Sequence, residues 1–224
     1  MQAVTPLELL GPLNEVEARH APRLFWCVGD MTLARRGARV SVVGTRNVSE
    51  EGRRRTRRLV RFLVERGVTV VSGLASGVDT EAHTTTIALG GRTLAVIGTG
   101  VDVAYPRENS ALQSRIAAEH LLVSQFAPGT PVNKRQFPQR NRTMALLSHA
   151  TVIVEANDGS GTLSQAWEAL RLGRPLFVLR SVVDDARLAW PREVLTYGAV
   201  ILSEPEQLLP ALPEGDHAPT DLLF

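Results

Sequence analysis

The sequence predicts an α/β fold: a parallel, or mostly parallel, sheet with helices on both faces, in a single main domain. Three observations carry this prediction. Short β-rich runs recur along the chain and end in glycine or a polar residue. Most of them are apolar on both faces, as strands covered by helices on both sides must be. Each is followed by a helical pattern, the rhythm of crossover connections between parallel strands.

Residues 1–37 precede this series and read as an N-terminal extension that includes a short helix. The first strand, 38–45, runs into Gly44-Thr45-Arg46-Asn47. The helix after it starts at Ser49, a good N-cap, with Glu50 and Glu51 where the helix dipole favours acids, and Gly67 closes it. On that helix Arg53, Arg54, Arg57, Arg58 and Arg61 share one arc, opposite Leu59, Val60, Phe62 and Leu63; the arginine arc is read as a solvated outer face. Further strands are expected at 68–73, 93–98, 121–126, 151–156, 175–180 and 199–203. The main domain therefore spans 38–209, and residues 210–224, with three prolines, are expected to fray.

Composition narrows the function classes. With 224 residues and 44% apolar content, the chain can bury a core of ordinary size. Lys134 is the sole lysine among 25 basic residues, and the formal charge is +2. The pI of about 9.2 makes the chain mildly basic, so clustering of the arginines matters more than their number. The single cysteine, Cys27, sits in Leu24-Phe25-Trp26-Cys27-Val28 and reads as a small buried hydrophobe in a reducing compartment. No apolar stretch is long enough for a membrane span, and Glu8, Glu15 and Glu17 do not suit a signal peptide. A cytoplasmic protein without membrane association is expected.

Three glycine-rich turns fall at strand carboxyl ends: Gly44-Thr45-Arg46, Ser72-Gly73-Leu74-Ala75-Ser76-Gly77-Val78-Asp79 and Gly98-Thr99-Gly100. In an open parallel sheet ligands bind outside those ends, where glycine lets backbone approach a phosphate and helix N-termini supply partial positive charge. With Gly161 and Thr162 after a later strand, they suggest one phosphate-binding edge. The GxGxxG dinucleotide fingerprint and the GxxxxGK[ST] loop are missing, so a NAD enzyme or a P-loop nucleoside triphosphatase is not expected, nor is any cofactor. Asp79 and His83 share a helix face, and a loop-orienting role suits them better than a metal site. A second basic cluster, Lys134-Arg135-Gln136-Phe137-Pro138-Gln139-Arg140-Asn141-Arg142, lies where residues 127–143 hold no Asp or Glu. Cations interleaved with phenylalanine suit phosphate contact and base stacking on single-stranded nucleic acid.

These turns, with Tyr105-Pro106-Arg107-Glu108-Asn109 and Phe137-Pro138-Gln139-Arg140-Asn141-Arg142 in this order, resemble the DprA/Smf DNA-processing family from about Pro22 to Arg180. The resemblance implies an extended Rossmann-like fold that binds single-stranded DNA without cutting it, helps load the recombinase RecA in natural transformation, and commonly dimerises. It also implies that Leu24 to Asp30 forms a lead-in strand. On this reading Arg46 and Lys134, Arg135, Phe137, Arg140, Asn141 and Arg142 hold DNA, while Gly44, Thr45, Ser72, Gly73, Gly98, Gly161 and Thr162 shape the pocket. From the sequence, most of the N-terminal helical domain and the winged-helix-like C-terminal domain of many members are not expected among these 224 residues.

Asn157-Asp158-Gly159-Ser160-Gly161-Thr162 also looks partly like the PGGxGTxxE motif of LOG-type nucleoside-monophosphate phosphoribohydrolases. Gln165 stands at the place of the catalytic glutamate, and a neutral amide cannot act as a general base. Arg142 matches the arginine of that group, and Glu168 is the nearest carboxylate on the same helix. Catalysis is therefore not expected. The alternatives kept open are a sensor of a free nucleotide and a nucleoside-monophosphate phosphoribohydrolase.

Overall fold

The apolar runs form one nine-stranded sheet, and the sequence period decides which helix covers which face. A computed structural model describes residues 1–213 of the chain. In chain order the elements are β1 (Gln2–Val4), α1 (Pro6–Leu10), α2 (Glu15–His20), β2 (Phe25–Gly29), β3 (Arg39–Gly44), α3 (Glu50–Glu65), β4 (Thr69–Ser72), α4 (Val78–Ala88) and β5 (Thr93–Ile97). They continue with α5 (Ser110–Glu119), β6 (Leu121–Ser124), α6 (Gln136–Leu146), β7 (Ala150–Glu155), α7 (Thr162–Arg171), β8 (Leu176–Leu179), α8 (Arg180–Val183), α9 (Trp190–Thr196) and β9 (Val200–Leu202).

The strand order is β1-β2-β6-β5-β4-β3-β7-β8-β9. From β6 to β9 every pairing is parallel, so the seven expected strands are all present in the expected orientation. Residues 1–37 are not peripheral to the sheet. They contribute β1 and β2, which pair antiparallel at the β6 edge, Trp26 opposite Ser124 and Gly29 opposite Leu121. The lead-in strand implied by the family resemblance is β2.

Residues of β3 alternate between two apolar layers. Val40 and Val42 face Leu59, Val60 and Leu63 of α3. Val43 faces the opposite layer, built from Met144 and Leu147 beside Ala166 and Ala169 of α7. Burial on both faces explains why these strands read as continuous apolar runs. Of the expected tail, residues 210–213 are ordered: a 3-10 helix spans Pro205–Ala211, and Leu208 and Leu212 pack under α3. The remainder of the tail, 214–224, lies outside the described residues.

Ser49 caps α3, its Oγ accepting from the Gly52 amide at 2.9 Å, as its sequence position predicts. Four of the five arginines of the α3 arc are ion-paired, Arg53 and Arg57 with Glu81, Arg54 with Glu51 and Arg58 with Glu204, while Arg61 is exposed and makes no ion pair among the described residues. Cys27 is buried, and burial pushes its thiol up to about 12, so it behaves as a small hydrophobe. No helix among the described residues is long and apolar enough to cross a membrane.

Candidate nucleic-acid interface

Strand order places the site. The chain starts the parallel series at β3, adds β4, β5 and β6 on one side, and then places β7, β8 and β9 on the other. The topological switch therefore lies between β3 and β7, where the outgoing loops diverge and leave a crevice. A cleft of about 470 Å³ opens there, lined by Gly44 to Asn47 after β3, Asn157 to Thr162 after β7, and one face of α6. A smaller recess of about 140 Å³ adjoins it, lined by Gly73, Gly98, Tyr105 and Phe137 with Arg46 and Arg140 common to both.

The glycines here make room. A β-carbon on residue 44 would lie 2.5 Å from Val78 Cγ2 and 2.8 Å from the Glu155 carbonyl oxygen, in the tight seam between β3, β7 and α4. A β-carbon on residue 73 would overlap the Arg140 guanidinium, and one on residue 98 would lie 2.7 Å from Phe137 Cδ1. Ser72 is not in the cleft. It is fully buried, its hydroxyl donating to the Val42 carbonyl at 2.7 Å, and so ties β4 to β3.

The turn after β4 carries its own anion. Asp79 Oδ2 accepts from the amides of Gly73 at 3.1 Å and Ala75 at 3.4 Å. Leu74 between them has φ 60°, a left-handed value unusual for leucine, and its carbonyl accepts from Asn109 Nδ2 at 2.8 Å. Burial pushes the Asp79 carboxyl up, against the opposing pull of Arg140 and of the Ala75 and Gly73 amides. Asp79 thus orients the loop and already occupies the N–H groups of Gly73 and Ala75. His83 stands apart: it is fully buried, its Nδ1 2.7 Å from Thr93 Oγ1, and burial pushes its imidazole down to about 3.

On α6 the residues at 137, 140, 141 and 144 share one helical face, and all four line the cleft. Their roles differ from the sequence expectation. Arg140 is only 6% exposed; its Nη1 donates to the Val96 carbonyl at 3.0 Å and lies 3.9 Å from Asp79 Oδ2. Burial pushes its guanidinium down, against the pull of Asp79. It is a wall of the site. Asn141 Nδ2 donates to the Gly161 carbonyl at 3.2 Å, fixing the approach of α7. Arg142 faces away from the cleft and forms a forked contact with Glu168, at 3.1 and 3.4 Å, where Arg171 also binds. The acid-free window from 127 to 143 therefore did not free Arg140 and Arg142, because carboxylates arrive from other elements.

Of the five cations expected to hold DNA, three make no ion pair among the described residues. Arg46 is exposed, makes no ion pair, and holds its guanidinium 5.6 Å from the centroid of the Phe137 ring. Lys134 and Arg135, just before α6, are exposed and unpaired. Tyr105, whose Tyr-Pro motif alone gives it no role, packs on Phe137 with ring centroids 5.3 Å apart. Thr162 is mostly buried at the α7 N-terminus beside Ser160, and Gln165 is 1% exposed with its Nε2 3.3 Å from Thr151 Oγ1. The two carboxylates lining the cleft are both engaged: Asp79 as above, Asp158 on the amides of Ala189 and Trp190.

Comparison with known proteins shows the family and the fold. The chain is 36% identical over 193 residues to DNA processing protein DprA of Bacillus subtilis, covering 86% of this chain and 65% of that protein. It is 35% identical to DprA of Streptococcus pneumoniae, covering 88% and 70%, and 39% identical to protein Smf of Synechocystis, covering 77% and 44%. It thus spans under two thirds of the Bacillus protein and less than half of the Synechocystis one. Among solved structures, DprA from Streptococcus pneumoniae superposes with a TM-score of 0.81 at 31% identity, over 94% of this chain and 74% of that one. DNA processing protein A from Helicobacter pylori, described for its single-stranded DNA binding mode, gives 0.78 at 28% identity, over 94% and 95%. A molybdenum cofactor binding protein from Rippkaea orientalis, at 18% identity and a TM-score of 0.56, shares the fold alone. The model of the DNA recombination-mediator protein A family matches residues 9–213, and the chain belongs to that family of DNA-processing proteins.

Proposed function

We propose that this chain binds single-stranded DNA at the β3/β7 cleft without a chemical step, acts in the cytoplasm as a homodimer, and delivers the strand to the recombinase RecA in natural transformation. The observation that carries the DNA-binding reading is the unpaired Arg46 that lines the cleft against the Phe137 ring, with the exposed Lys134 and Arg135 just before α6, the helix whose face lines that cleft. Absence of chemistry is supported by the neutral Gln165 and by Asp79 and Asp158, both turned to backbone amides. Dimer formation is supported by the edge strand β9, where Val200 is exposed, and by the exposed Tyr197 before it. RecA delivery and transformation rest on family membership.

Fluorescence anisotropy with labelled single strands tests the reading. Three phosphate contacts on a single strand give a slope of log K against log salt of about −2, and Arg46→Ala reduces its magnitude by ~0.7. No binding at low salt, or an unchanged slope for Arg46→Ala, sinks it. Sedimentation tests the dimer.

A second reading, a free nucleotide in the same cleft, is favoured by Gln165, whose buried Oε1 has no partner, and by Gly161, where a β-carbon would meet nothing within 4 Å. It predicts a rise in melting temperature with mononucleotides.

A further inference from the structure

Phe137 is the aromatic expected from the sequence to stack on bases, yet its half-buried ring is already in contact with three neighbours. Gly98 presses on it closely enough that a β-carbon there would lie 2.7 Å from Cδ1. The Arg46 guanidinium lies over it at 5.6 Å, and Tyr105 meets it at 5.3 Å with the planes tilted by 39°. Rings in contact leave no gap for a base between them. Tyr105, by contrast, is 43% exposed while lining the recess beside Gly73 and Gly98.

The loop that carries Tyr105 is braced at several points. Thr99 Oγ1 donates to the Val103 carbonyl at 2.8 Å, and Ser124 Oγ to the Thr99 carbonyl at 2.6 Å. Gln113 Nε2 reaches the Val101 and Val103 carbonyls, and Asn109 ties the far end to Leu74 and Thr80. A tyrosine fixed in this way loses little freedom when a flat ligand lands on it, the property expected of a stacking platform.

We infer that Tyr105 is the base-stacking platform of the interface, with Phe137 the wedge that seats both Tyr105 and Arg46. A nucleotide entering the cleft would place its phosphate at Arg46 and its base on the free face of Tyr105. A platform of this kind accepts every base, because each presents a π-face. The inference rests on the single-stranded DNA reading above and names the residue that meets the bases.

The test is anisotropy with the full chain and labelled strands, one carrying bases and one abasic, over a salt series. Tyr105→Ala and Tyr105→Leu should each weaken binding of the base-containing strand by ~10-fold. Tyr105→Phe should stay within ~2-fold of wild type. The salt slope should not change, because no phosphate contact is lost, and wild type and Tyr105→Ala should bind the abasic strand alike. A purely structural role would lower the slope as well, by displacing Arg46, and would weaken the abasic strand equally; either result overturns the assignment. Equal binding of the base-containing strand by wild type and Tyr105→Ala also overturns it and leaves the DNA-binding reading standing. A wild-type chain that binds no single strand overturns both.

Discussion

Removal of the Asp79 carboxylate should destabilise the whole domain through Arg140. Asp79 and Arg140 are both buried, and Asp79 Oδ2 at 3.9 Å is the anion nearest the Arg140 guanidinium. The guanidinium has one further anchor, the Val96 carbonyl, and its Nε is buried without a partner. Asp79→Ala leaves that cation buried and uncompensated, which costs ~3–5 kcal/mol in comparable pairs. The amides of Gly73 and Ala75 also lose their acceptor, but they border the cleft and water can replace it, so nothing further is added for them. For a chain of this length each kcal/mol lowers the melting temperature by about 2–4 °C, giving a fall of about 6–20 °C. Calorimetry and urea unfolding of Asp79→Ala, Arg140→Met and the double variant measure it. The double variant should be more stable than Asp79→Ala, since it removes the stranded charge. A single variant that melts within ~2 °C of wild type, or a double variant as unstable as the additive sum, refutes the reasoning.

Gly98→Ala must push the Phe137 ring aside, so single-strand affinity should fall ~5-fold or more with a stability loss of about 1–3 kcal/mol, read by anisotropy and melting. Arg142→Ala should leave affinity within ~2-fold of wild type, because Glu168 already holds that side chain outside the cleft. Asn141→Ala, which releases the Gly161 carbonyl, should lower stability by ~1 kcal/mol, measured by urea unfolding. His83 gives a pH signature. Its folded pKa lies at about 3, below the 6.5 of the unfolded chain, so its contribution is fully present above pH 6.5 and is lost as pH falls toward 3. At pH 5 the loss is ~2 kcal/mol relative to pH 7, and His83→Gln should show that much less of a fall in urea unfolding between the two pH values.

The parallel strands were legible because burial on both faces writes unbroken apolar runs, and the α3 boundaries were legible from Ser49 and Gly67. Strand β1 was not, since its three residues are exposed or half-buried at an edge. The cleft's position was legible only in part. Glycines marked the strand ends, but no local feature says that β7 pairs with β3, which is the step that opens the crevice. Charge pairing was least legible. Arg140 and Arg142 differ by about 200° around α6, so one enters the cleft wall and its near neighbour meets α7. A search for acids within the segment could not see Asp79 or Glu168, which lie 61 and 26 positions away. The spacing of Phe137, Arg140, Asn141 and Met144 did hold the answer, once a helix was assumed to start at 136.

The glycine turn after β4 reverses the usual argument from glycine to phosphate. In a phosphate loop glycine exposes backbone N–H groups to a ligand. Here a carboxylate of the same turn takes those groups, and an arginine guanidinium fills the space that a side chain on residue 73 would need. At Gly73 and Ala75 the turn is therefore closed to an anion before any ligand arrives. On the proposed reading, a nucleic acid is attracted by Arg46 in the cleft lining and by the exposed Lys134 and Arg135 just before α6, and its bases meet the exposed Tyr105. Contacts to phosphate and to π-faces hold no base-edge information, so a site built this way grips any sequence. The internal ion pair gives that grip a rigid floor, which is why Asp79 should matter to stability and Arg46 to the salt dependence of binding.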